Sequence, residues 1–195
     1  MLDLYLFGGS FLKKTQKKKS GSSTPYRWAL TVFLMAVALS AVLSLASESM
    51  LDGAGVAGAV LILAMFIGLG ILFDIIGVAT TAADPKPFHS MAAHKEKGAK
   101  ESLYLLRNAS RVSSVCNDVV GDICGIVSGA TGAVIVTQLE KSFNTRTVLI
   151  SVGVTALISG LTIGGKALSK TFAMKQSTRV VYLAGRFLHL FRRRR

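Results

Sequence analysis

The chain of 195 residues is 51% hydrophobic and 17% charged, and its 23 lysines and arginines against 10 acids give a net charge of +13. Its mean hydropathy is +0.51, with apolar residues gathered into long runs and charges into the gaps, which excludes the even scatter of a soluble domain. Nucleic-acid binding is not expected despite the charge, because the basic residues flank the apolar runs and track topology. The expected fold is an all-α integral membrane protein with four transmembrane helices and amphipathic juxtamembrane helices.

Residues 1–27 form a basic leader. Its apolar start, 2–12, is too short to span and is expected to rest in the interface. Lys13, Lys14, Lys17, Lys18 and Lys19 follow as a topogenic signal. The first span, 28–46, carries no charge. A basic leader before an apolar run ending near Ser44-Leu45-Ala46 also reads as a cleavable signal, but this run exceeds the ~7–15 residues of a signal core, which favours an uncleaved anchor.

The second span, 54–83, is uncharged up to Asp74 and is broken by Asp84-Pro85-Lys86-Pro87. Segment 85–111 is amphipathic: Phe88, Met91, Ala92, Leu103, Leu106 and Ala109 recur at helical spacing against Lys95, Lys97, Lys100 and Arg107, with Gly98 as a joint between two short helices. The third span is 112–139. A polar turn with Ser142, Asn144 and Thr145 leads to the fourth, 147–165, so that 28–168 makes one transmembrane domain. The tail, 169–195, repeats the basic amphipathic scheme and ends in four arginines. Such clusters favour anionic lipid headgroups by about 1 kcal/mol per basic residue.

Counting lysine and arginine gives six before the first span, none between the first and second, six between the second and third, two between the third and fourth, and nine from Lys166 onward. Under the positive-inside rule both termini and segment 85–111 are cytoplasmic, in a multi-pass protein of the plasma membrane.

Three acids lie inside the spans. A carboxylate near mid-bilayer costs ~2.5–3.5 kcal/mol on insertion scales, so Asp74, Asp118 and Asp122 are expected to face inward. At 1.5 Å per residue Asp74 lies ~13 Å above the end of its helix, and Asp118 and Asp122 lie ~9 and ~15 Å above the start of theirs, which puts the three in one layer. In the third span Asp118, Asp122, Gly125 and Gly129 share a face, and Asn117, Gly121, Cys124 and Ser128 share the next. Gly121, Gly125 and Gly129 read as a helix-packing repeat, and Gly160 and Gly164 as a second tight crossing.

Hard cations take oxygen ligands, and Mg²⁺ keeps several waters, so the three carboxylates with Asn117 and accessory hydroxyls of Thr80, Thr81 or Ser114 suit it; Co²⁺ and Na⁺ are its competitors. The other reading is that the acids are protonated, or paired with Lys166 or backbone groups. Cys116 and Cys124 are ~12 Å apart along one helix and read as packing residues; His89 and His94 read as surface residues. No nucleophile motif, phosphate loop or dinucleotide fingerprint is present, so an enzyme is not expected.

The stretch 70–135 resembles the transmembrane domain of the CorB/CorC magnesium and cobalt efflux proteins and the cyclin-M (CNNM) transporters. The resemblance rests on Ile76-Gly77-Val78-Ala79-Thr80, on Gly98-Ala99-Lys100 with Leu103, Leu105, Leu106, Arg107, Asn108 and Arg111, and on Cys116-Asn117-Asp118. The family's glutamate position reads Ala79 here. The resemblance implies three spans with juxtamembrane helices between the first two, a homodimer and a divalent ion; the family's CBS domains have no counterpart, so nucleotide gating is not expected. The expected function is binding, and possible transport, of Mg²⁺, with a non-transporting scaffold or partner subunit as the alternative.

Overall fold

The structure is a computed structural model that describes residues 25–143 and 148–192. Residues 1–24 of the leader, the 144–147 connection and the last three arginines lie outside the described residues. Every described element is helical: α1 (Pro25–Leu51), α2 (Val56–Ala82), α3 (Lys86–Ala93), α4 (Ala99–Arg107), α5 (Ala109–Ser113), a π-helical segment (Ser114–Gly121), α6 (Asp122–Phe143), α7 (Val148–Lys175) and α8 (Ser177–Arg192). Four helices are long and apolar enough to cross a membrane: Tyr26–Leu51, Val56–Ala82, the continuous Ala109–Ser142 and Ser151–Lys175.

Local chemistry sets the ends. Pro25 opens α1, where its missing N–H costs nothing. Gly53, at φ 78°, takes the left-handed turn that lets α2 begin within a few residues. Pro85 stops α2, and the Asp84 carboxylate accepts the N–H of Lys86 at 3.0 Å to start α3. Lys95 (φ 56°) and Gly98 (φ 92°) then reverse the chain between α3 and α4, which is the joint expected at Gly98.

Helix α2 is the axis of the bundle, packed against α6, the π-helical segment, α7, α5 and α8. Lipid is as apolar as leucine, so helices in a bilayer are held by close approach rather than by a hydrophobic force between them. The contacts show it: a Cβ at Gly70 would stand 3.1 Å from that of Cys124, and Gly132 and Gly165 receive the Ile158 and Ile71 side chains. Phe66, Val119, Ile123, Cys124 and Val127 fill the space between α2 and the third span, with Cys116 and Cys124 both buried and free. By contrast α1 buries none of its most apolar stretch in the chain itself. Hydroxyl and amide contacts fix it and its loop: Ser47 Oγ lies 3.3 Å from Thr131 Oγ1, and Gln138 Nε2 donates to the Ala54 carbonyl at 3.1 Å.

Two expectations change. The helix of the fourth span does not end near 165 but runs on to Lys175, and the break into α8 falls at Gln176. The tail helix α8 packs along α4 and the end of α2 and keeps Leu183, Phe187 and Phe191 exposed. Its Val181, with Phe88, Ala79 and Ala173, forms a fully buried cluster at the basic end of the bundle. Finally, Gly125, Gly129, Gly160 and Gly164 have open space where a side chain would stand, so within one chain the tight crossings belong to Gly70, Gly77, Gly98, Gly132, Gly165 and Gly185 instead. Gly121 is buried, and a Cβ there would stand 3.8 Å from Lys166 Nζ.

Candidate intramembrane polar site

The middle of α2 brings Asp74 into the bundle, where it is 4% exposed. Its neighbour across the helix gap is Ser169 of α7, whose hydroxyl lies 3.3 Å from Asp74 Oδ2 and 2.7 Å from the carbonyl of Lys166. One hydroxyl proton serves one acceptor at a time, and the carbonyl is the nearer. Asp74 therefore has one long contact and, among the described residues, no ion pair.

One turn further along the same face of α2, Gly77 meets Asn117 of the π-helical segment. A Cβ at Gly77 would overlap the amide oxygen and stand 2.7 Å from its carbon, so only the bare Cα admits this side chain. Asn117 Nδ2 donates to Ser113 Oγ at 3.3 Å. Asn117 Oδ1 is buried and accepts nothing among the described residues. An unmet acceptor in a dry site costs ~1–3 kcal/mol, and here it lies against Gly77, one helical turn from a carboxylate that also lacks a full partner.

The other two acids go elsewhere. Asp122 Oδ1 lies 3.6 Å from Lys166 Nζ, on a side chain 67% exposed against 25% for the lysine. Asp118 is exposed and accepts the Ser114 hydroxyl at 2.9 Å, within its own helix. The inward placement expected of all three acids thus holds for Asp74 alone. The reason is packing: Gly121, Cys124 and Ser128 are small and buried against the bundle, which turns the Asp118, Asp122, Gly125, Gly129 stripe outward. The π-helical winding of residues 114–121, wider than the 3.6-residue turn, also shifts this face.

Among the described residues no three His, Cys, Asp or Glu side chains come together as a metal-binding group. The accessory hydroxyls are committed to their own helices: Thr80 donates to the Ile76 carbonyl at 2.7 Å and Thr81 to that of Val78 at 2.8 Å. What the contacts place on this stretch of α2 instead is Ser169 against Asp74 and, one turn on, Asn117 against Gly77. Ser169 carried a readable signal, since it follows Lys166 by three residues on one helical face. The fit of Gly77 to the Asn117 amide carried none, because it depends on how α2 meets the third span. No protein-family model, curated protein or solved structure matches the chain.

Proposed function

We propose that this protein binds a metal cation between α2, the π-helical segment and α7 and carries it across the membrane. The observation behind the reading is that the Asp74 carboxylate is buried with one long hydroxyl contact and that the Asn117 amide oxygen is buried with no donor among the described residues. Mg²⁺ is the first ion to test, because it takes one or two carboxylates while keeping several waters, and because 70–135 resembles the CorB/CorC and cyclin-M domain. Co²⁺ and Na⁺ are the competitors. The positive-inside count supports a plasma-membrane topology with both termini cytoplasmic. A second copy would cover the outward acid and glycine stripe, giving a homodimer.

Flux and binding in proteoliposomes test the proposal. Wild-type protein should take up Mg²⁺ and lose that activity with chelator outside, with Asp74→Asn and with Asn117→Ala, while Asp118→Asn keeps it. Saturating ion at a hundredfold excess over its Kd should add about 2.7 kcal/mol of stability to the wild type and nothing to Asp74→Asn. Equal behaviour of wild type and Asp74→Asn would sink the reading. The Asp122–Lys166 pair favours the second reading, a scaffold whose charges fix α7 against α6, and that protein would show no ion dependence at all.

A further inference from the structure

A second place with chemistry of its own lies where α2 ends and the α3–α5 connection folds back. This groove holds about 340 Å³ and is lined by Thr81, His89, Leu103, Leu106, Arg107 and Ala109 among others. Its volume is that of a small-ligand cleft. One wall is apolar: Leu103 and Leu106 rest partly buried on the cluster around Phe88 and Ala79. The other wall is cationic or polar. His89 and Arg107 are exposed, and neither side chain has an ion pair or hydrogen bond among the described residues.

Arginine presents a planar fork of N–H donors that matches two oxygens of a phosphate, and an imidazole beside it adds a third donor. Thr81 adds no donor, because its hydroxyl is given to the Val78 carbonyl at 2.8 Å. Depth fixes what carries the phosphate. The apolar helix Val56–Ala82 ends at this groove, so in a bilayer the groove opens at the level of the headgroups, with its leucine wall toward the chains. Basic pockets between spans at that level hold lipid headgroups.

We infer that this groove binds the phosphate of an anionic phospholipid, with Arg107 and His89 on the headgroup and Leu103 and Leu106 against the first carbons of an acyl chain. The site is separate from the one around Asp74 and stands or falls without it.

The test is lipid titration of the delipidated full chain in neutral detergent, read by native mass spectrometry, with phosphatidylglycerol and phosphatidylcholine as probes. The wild type should prefer phosphatidylglycerol. Arg107→Gln should lower its affinity about fivefold, the size expected for one basic contact, His89→Gln by a similar factor through the loss of one hydrogen bond of about 1 kcal/mol, and the pair about twentyfold. Lys175→Gln, at the end of α7 and outside the groove, should leave it unchanged. Both groove side chains are exposed, so the variants should keep the wild-type helical circular dichroism. An equal loss in Lys175→Gln, or none in the groove variants, would overturn the proposal. Glycerol phosphate in solution is the last arm: if it displaces the lipid at equal concentration, the acyl wall contributes nothing and the lipid assignment is overturned.

Discussion

Replacing Gly185 by alanine probes a crossing at which two backbones meet. A Cβ there would stand 2.7 Å from the Gly98 carbonyl oxygen and 2.9 Å from the Ser102 nitrogen, and would overlap Ser102 Oγ. The first two are backbone atoms and cannot swing aside, so α8 must retreat by about 0.7 Å to reach ordinary contact. The Ser102 hydroxyl is given to the Gly98 carbonyl at 2.9 Å and lies 3.2 Å from that of Val181, so the retreat removes only the longer of its two contacts. The cost is therefore that of the forced misfit around buried Val181, about 1–3 kcal/mol. At about 2–4 °C per kcal/mol for a chain of this size, the melting temperature in detergent should fall by roughly 3–10 °C. Gly160→Ala is the matched control, since open space surrounds that position and alanine favours a helix by about 1 kcal/mol. If Gly185→Ala melts with the wild type, the α4–α8 crossing is looser than its geometry states.

Gly77→Ala should drive the Asn117 amide out of its place and remove ion-dependent stabilisation, at a cost of about 1–3 kcal/mol in melting experiments. Asp122→Lys should destabilise the chain by about 1 kcal/mol, and the exchange Asp122→Lys with Lys166→Asp should recover most of it; an unrecovered double variant would show that the pair does not hold α6 to α7. Gly129→Cys, in a background with Cys116 and Cys124 replaced by alanine, should form a disulfide dimer in membranes on mild oxidation. Leu161→Cys, 58% exposed on α7, should cross-link far less, and equal yields from both would argue against a dimer through the glycine stripe.

Much of the fold was legible because it is written in long-range composition. Four apolar runs, the Asp84-Pro85 break and the Gly98 joint need no partner to be read, and each has its counterpart in α1, α2, the Ala109–Ser142 helix and α7. The basic amphipathic tail was visible as a helix, but its packing on α4 was not. That contact depends on Gly98 and Gly185 letting two backbones meet, and a glycine in a sequence carries no address for its partner. The same limit applied to the glycine repeat at 121, 125 and 129, whose spacing promises a close crossing that this chain makes only around Gly121. At the site, the pairing of an acid with Lys166 was among the readings open from sequence, and it falls on Asp122. Which acids turn inward was not legible, because the helical wheel assumes 3.6 residues per turn and residues 114–121 wind as a π-helix.

The unequal treatment of the acids bears on which ion the site would take. Lys166 balances Asp122, and Asp118 meets Ser114 on an exposed face, so of these three acids Asp74 alone is left inside the bundle without a cationic partner. One carboxylate and one amide oxygen leave a doubly charged ion half compensated in a region of low dielectric, where residual charge is expensive. A divalent ion would then arrive with its waters and draw on Asp122 as well, which requires Lys166 to let go. Neutralising the lysine separates these cases. Lys166→Gln frees the second carboxylate, so it should strengthen binding of Mg²⁺ more than that of Na⁺. A variant that strengthens neither would mean that Asp122 lies outside the ion's reach and that the site answers to Asp74 and Asn117 only.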